Sequence, residues 1–331
     1  MGVNRTRKTL CTAKIEGGGY GVDATPTASA NTMLLFDDGN IVQRDVKTIE
    51  KKPLRVSLTG QKDGIGRSIA NVNLSTVLMS RGDDTAAPWL DPLLRMSGLA
   101  VATGTEDTSK KFWRYTPRSS GFESATIYAY MDGFLWKVPG CYGTFTLDMQ
   151  AGQMPDLKFE AAGLYVKPTN QAFPSATYPT DTKLQVESEQ LVIGPDGVGY
   201  SPVVRSINLV WGMARAERGD CNSPKGFKGF DPNDRMPKLT LKVEVEDTLS
   251  NKDFFAYLDD QQALGDAAMD DVEWQHGDDV QSAIVFKCNA PQLLSHPFEE
   301  QDGLRLYTLT YKLRNNTDDG EFSMTFREEE S

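Results

Sequence analysis

Histidine is scarce in this chain: two residues in 331. Cysteine is scarce as well. Cys11, Cys141, Cys221 and Cys288 stand far apart with no C-x-x-C pair. Clustered zinc ligation and a dense disulfide framework are therefore excluded, and free thiols in a reducing compartment are expected. No apolar run approaches the roughly 18 residues of a membrane span. Residues 1–10 are basic but lack the apolar centre of a signal peptide, so the chain is expected to stay in the cell where it is made. Also missing are a P-loop, a G-x-G-x-x-G opening a helix, a G-x-S-x-G and an H-E-x-x-H. His276 and His296 have no Ser or Cys at a recognisable spacing. Neither an enzyme nor a cofactor is expected.

Basic excess is missing too. The net charge is −11, and its location is uneven. Glu246–Asp279 holds eleven carboxylates against the single base Lys252. The N-terminus is the reverse, with Arg5, Arg7, Lys8 and Lys14 ahead of the first acid, Glu16. An acidic chain repels a nucleic-acid backbone, so specific DNA reading is not expected, whereas a passage that DNA slides through is compatible. The run Asp266-Ala267-Ala268-Met269-Asp270-Asp271 does not fit an EF-hand loop. The acidic stretch reads as a solvated face, a wall of an anionic channel, or a cation site.

The residues that are present spell short strands. Leu54, Val56 and Leu58 alternate with polar residues, as do Val72, Leu74, Thr76 and Leu78, and later Leu239, Leu241, Val243 and Val245. Asp132-Gly133 between two apolar runs predicts a tight hairpin. Gly60–Arg67 reads as a polar loop projecting from a sheet. Pro88–Gly98 predicts a short helix with Gly98 at its left-handed end. A second helix is expected after an N-cap at Ser250, with Phe254, Phe255 and Leu258 on its apolar face. Phe112-Trp113-Arg114-Tyr115 beside Lys110 and Lys111 reads as an amphipathic strand rather than a base-stacking platform. Arg218–Arg235 reads as a loop.

The order of elements occurs twice: strands, one short helix, then more strands. The predicted organisation is an extended N-terminal arm at 1–31, a β-domain at 32–166, a Pro-rich linker at 167–182 and a second β-domain at 183–331. The fold expected is mainly β.

Three stretches carry a family resemblance. They are Gly21-Val22-Asp23-Ala24-Thr25-Pro26-Thr27, then Ala87–Gly98, and then the ending Ala290–Leu294, Asp302–Leu309 and Gly320–Phe326. In this order they resemble the tail tube proteins of long-tailed bacteriophages. The resemblance implies two tandem β-sandwich or split-barrel domains, each flanked by one helix. It also implies stacked rings forming a conduit for DNA ejection in the virion tail, made in the host bacterial cytoplasm. Most family members carry one such domain and form six-fold rings. Two per chain implies a trimer with pseudo-six-fold symmetry, or otherwise a hexamer. The implied partners are further copies, other tail proteins, and tape-measure protein and DNA within the lumen, without a membrane. Candidate inter-ring contacts are Arg5, Arg7, Lys8, Tyr20, Lys62, Asp63 and Arg67. Candidate lumen or interface acids are Asp259, Asp260, Asp266, Asp270, Asp271, Asp278 and Asp279. The alternatives are a distal-tail or baseplate hub ring of the same fold, and a two-domain β-sandwich that binds carbohydrate.

Overall fold

The computed structural model describes residues 7–36, 40–52, 54–57, 59–79, 87–106, 110–178, 189–194, 199–246, 252–264, 270–277, 282–314 and 319–329. The first half contributes β1 (Thr9–Ile15), β2 (Val42–Ile49), β3 (Gly64–Val77), α1 (Asp91–Met96), β4 (Leu99–Glu106), β5 (Lys110–Pro117), β6 (Ala125–Met131), β7 (Phe134–Gln150), β8 (Asp156–Leu164) and the short β9 (Thr169–Asn170). The second contributes β10 (Glu189–Ile193), β11 (Val204–Val210), β12 (Met213–Gly219), β13 (Phe227–Arg235), β14 (Lys238–Glu244) and α2 (Phe254–Leu264). It ends with β15 (Val272–His276), β16 (Ser282–Cys288), β17 (Gln292–Ser295), β18 (Phe298–Gln301), β19 (Leu304–Lys312) and β20 (Ser323–Glu329). The fold is mainly β, as the alternating runs predict.

Eight strands form the spine of the larger sheet, in the order β2-β3-β8-β7-β11-β14-β19-β17. The neighbours along it are antiparallel. The first four strands belong to the first half and the last four to the second. Their connections follow the same sequence in the same sense. Each half also opens with a strand that pairs elsewhere, β1 on β6 and β10 on β15. A second sheet runs β10-β15-β16-β20-β5-β4 and so mixes both halves. The division at 167–182 therefore does not separate two cores. Within the linker, β9 pairs with β7, and Thr177 N–H donates to the Ala28 carbonyl at 2.9 Å.

Alternation decides which face is buried. Along β14, Leu239, Leu241 and Val243 are buried, and Phe145, Leu147 and Met149 do the same on β7. Cross-strand register aligns these rows, with Leu147 opposite Leu209 and Leu209 opposite Leu239. Each such side chain contributes roughly 1.5–3 kcal/mol of burial. Trp211 joins the halves. It stacks on Phe145 with centroids 5.8 Å apart, approaches Phe322 at 5.7 Å, and donates from Nε1 to the Ser97 carbonyl at 2.7 Å.

Helix α1 forms where the prolines place it. Pro92 lies in its first turn, and Gly98 follows its end at φ +81°. Arg95 clamps it by donating from Nε and Nη2 to both Glu123 oxygens, and Arg118 Nη1 lies 3.1 Å from Glu123 Oε2. At α2 the cap is Asp253, whose carboxylate accepts from the Phe255 and Ala256 N–H groups at 2.9 and 3.1 Å. The expected cap, Ser250, lies outside the described residues.

Several expectations are corrected. Residues 9–15 of the expected arm are a core strand, with Leu10, Cys11 and Ala13 buried. Leu54 and Val56 alternate, yet they form no strand and are fully exposed. Gly64–Arg67 begins β3 rather than ending a loop. Arg218–Arg235 is largely the β12–β13 hairpin. Its Gly and Pro content reads as loop, but Gly229 and Pro232 sit within the paired strand. The Asp132-Gly133 turn appears as expected, with both residues at positive φ.

A shared core predicts one cooperative calorimetric transition; two resolved transitions would contradict it. Trp211→Ala should cost about 3–5 kcal/mol, and Trp211→Phe about 1 kcal/mol for the lost donor. The Arg95 hydrogen bonds hold the Glu123 carboxyl below its ordinary value of 4.5. A depressed folded value gives stability that is full above the unfolded pKa and lost as pH falls through the folded one. The stability gap between wild type and Glu123→Gln should therefore shrink as pH drops below about 4.5. A gap constant with pH, measured by urea unfolding, would refute this role.

Candidate functional surfaces

The opposite face of the eight-stranded spine is polar. It presents Asn71 and Asn73 of β3, Thr144 and Thr146 of β7, Asn208 of β11, Thr240 of β14, and Thr308 and Thr310 of β19. Some of its charges are paired, while Asp148, Glu160, Lys238 and Lys312 enter no ion pair among the described residues. Lys158 Nζ lies 2.6 Å from Asp156 Oδ2, and Lys242 Nζ 2.5 Å from Glu299 Oε2. The apolar half of each alternation marks the strands. The polar half, rich in Thr and Asn, was the unread signal for this surface.

Among the described residues, no strand pairs with the outer side of β2 or of β17. At one end, β2 carries the exposed Ile49 opposite Gly64, and the exposed Ile65 of β3 stands opposite Thr48. At the other, Leu294 of β17, Phe298 of β18 and Leu304 of β19 are exposed, and the Phe298 ring lies 6.2 Å from that of Phe255 of α2. His296 packs edge-on to Phe255 with centroids 4.6 Å apart, and Phe298 stacks on Tyr307 at 4.9 Å. Between β2 and β3 the chain carries the exposed Leu54 and Val56. At the corresponding place between β11 and β14 stands the β12–β13 hairpin.

The candidate contacts near the N-terminus divide. Arg5 lies outside the described residues, and Arg7 and Lys8 are exposed or nearly so ahead of β1. Lys62 and Asp63 are exposed, with Asp63 accepting from Lys51 N–H at 3.3 Å. Arg67 is engaged inside the chain, where its Nη2 meets the Glu217 carboxylate. Tyr20 is engaged as well. Its ring stacks on Tyr142 with centroids 5.6 Å apart, and its hydroxyl accepts from Phe230 N–H at 2.8 Å. Burial pushes that hydroxyl's pKa up. The glycine-rich loop holding Tyr20 is pinned by Glu16. Its buried carboxylate accepts from Gly21 N–H, Thr126 Oγ1 and Gly140 N–H, each at 2.7 Å, and from Ser124 Oγ at 2.5 Å. Local spacing carries no sign of this anchor, because three of its four partners, Ser124, Thr126 and Gly140, lie more than a hundred residues away.

The acidic candidates divide too. Asp266, Asp278 and Asp279 lie outside the described residues. Asp259 and Asp260 are exposed on α2. That helix packs through Phe254 on Tyr307, a residue of the sheet's buried face, with centroids 5.3 Å apart. These two acids are thus not part of the polar face. Asp270 pairs with Lys252, and Asp271 accepts from Ala290 N–H at 2.8 Å and lies 3.3 Å from Lys287. Both fasten the segment after α2.

Among the described residues, no group of three or more His, Cys, Asp or Glu is placed to hold a metal ion. No described helix is long and apolar enough to cross a membrane. Compared with protein-family models and with curated proteins, the chain gives no match.

Tyr20→Phe should cost about 1 kcal/mol by leaving the Phe230 N–H without its acceptor. It should also speed amide exchange along β13 more than along β14. Equal protection in the variant and wild type would show that Tyr20 does not hold the hairpin.

Proposed function

We propose that this chain is a tail tube subunit of a long-tailed bacteriophage, one chain supplying two adjacent positions in a ring. The observation that carries the reading is the repeated strand order, β2-β3-β8-β7 followed by β11-β14-β19-β17, running in one sense with an open edge at each end. The β7–β11 seam is then the pattern for a seam between β17 of one chain and β2 of the next. Contacts of this heterologous kind close into rings when the rotation permits. Closure would also cover the apolar residues at both edges and remove the edge liability.

Three chains of eight strands would close a 24-stranded barrel. With strands about 4.8 Å apart and tilted about 40°, its radius would be about 24 Å. Barrels of 16–18 strands already leave an aqueous channel, so this lumen would be wider. The Thr- and Asn-rich face with paired charges would line it. Such a wall interleaves carboxylates (Asp148, Asp156, Glu160) with its lysines (Lys158, Lys238, Lys242, Lys312), so tape-measure protein and DNA would pass without being held. The acidic helix α2 would lie outside the lumen.

The fully exposed Leu54 and Val56 favour a stacking tube over a hub that stops at one ring. Alternating apolar side chains on a projecting segment await a partner surface. Electron microscopy of the purified protein should show rings with three-fold symmetry that stack into tubes. The pair Leu54→Asp and Val56→Asp should leave rings but shorten or abolish tubes. A strictly monomeric species at high concentration would overturn the assignment.

A further inference from the structure

The geometry points to an oxyanion-binding groove where the ends of β3 and β8 meet the β12–β13 hairpin, a site independent of the ring reading. The groove, about 370 Å³, is lined by Arg67, Ser68, Tyr165, Ser223, Phe227 and Lys228 among others. Arg67 is held in place from two sides. Its Nη2 meets Glu217, and its guanidinium carbon sits 5.6 Å from the centroid of the Phe227 ring. Its Nη1 is buried and has no hydrogen-bond acceptor among the described residues.

An arginine keeps its proton at any working pH and presents donors in a rigid fork. A buried donor left without an acceptor is costly, and an arriving oxyanion oxygen relieves that cost. Two further cations stand close. Lys228 is exposed on the rim. Arg44 lies 4.3 Å over the Tyr165 ring and donates to Ser68 Oγ at 3.0 Å. The neighbouring carboxylates are already engaged. Glu217 holds Arg67, and Asp220 accepts from Asn222 N–H and Ser223 Oγ, each at 2.9 Å. On a chain of net charge −11, this is a local excess of positive charge beside two aromatic rings.

The ligand class is a phosphate or carboxylate group, bound by Arg67 where it lines the groove, with Lys228 as the second contact. Glu217 competes for the same guanidinium, so its removal should strengthen binding. The test titrates inorganic phosphate, and separately acetate, into the full chain at ionic strength fixed with sodium chloride, read by calorimetry and by thermal shift. Wild type should bind. Arg67→Lys, which keeps the charge but loses the fork, should weaken binding about tenfold, equivalent to about 1.4 kcal/mol. Lys228→Gln should weaken it several-fold without changing the melting temperature in plain buffer, because Lys228 is exposed. Glu217→Gln should tighten it. Phosphate alone binding assigns the groove to phosphate groups, and equal binding of acetate assigns it to carboxylates. Absence of binding by both anions, or binding insensitive to Arg67→Lys and Glu217→Gln, would overturn the site.

Discussion

The seam between β7 and β11 is the constraint on which the rest of the architecture depends. Five residue pairs, Thr146 opposite Val210 through Gln150 opposite Ser206, join the two halves into one sheet. Just beyond them the chain turns at Gly212, φ +66°, and places Trp211 on Phe145. Without this seam the buried faces of the two four-strand sets would have to find other partners. With it, a single apolar layer runs from Val72 in one half to Tyr311 in the other. Strands β5 and β20 repeat the arrangement in the second sheet, where Trp113 stands opposite Phe326. The halves are thus tied twice, once in each sheet.

Much of this was legible in the alternation. The runs at Val72–Leu78 and Leu239–Val245 became strands, and Asp132-Gly133 became the turn expected of it. These features depend on local spacing and local backbone geometry. The failures all involve information that spacing does not carry. Leu54 and Val56 have a strand's pattern but no described partner strand in the chain, and a pattern without a partner is not a strand. Gly229 and Pro232 have a loop's composition but lie in a hairpin packed against Tyr20. The Glu16 anchor and the Arg67 groove join residues separated by more than a hundred positions, and no local rule brings them together.

The charge distribution also takes on a different sense in three dimensions. The acidic segment looks like a coating in one dimension. In the fold, Asp253 caps a helix, and Asp270 and Asp271 fasten the stretch that follows it. Asp259 and Asp260 are exposed on α2, away from the polar sheet face. That face relies on hydroxyls, amides and paired ions rather than on like charge. Ion pairs there join Lys158 to Asp156 and Lys242 to Glu299, while the exposed Lys238 and Lys312 stand opposite each other across β14 and β19.

The seam has a kinetic consequence. Two separate subunits meeting edge to edge lose translational and rotational freedom, at a cost estimated at roughly 4–15 kcal/mol. Here the residues between Asn170 and Glu189 tether one half to the other, so that encounter is already part of folding. The seam closes as a first-order event, at a rate that dilution does not change. Any larger assembly built from this sheet starts with half of its lateral joints made, and concentration governs only the remaining half.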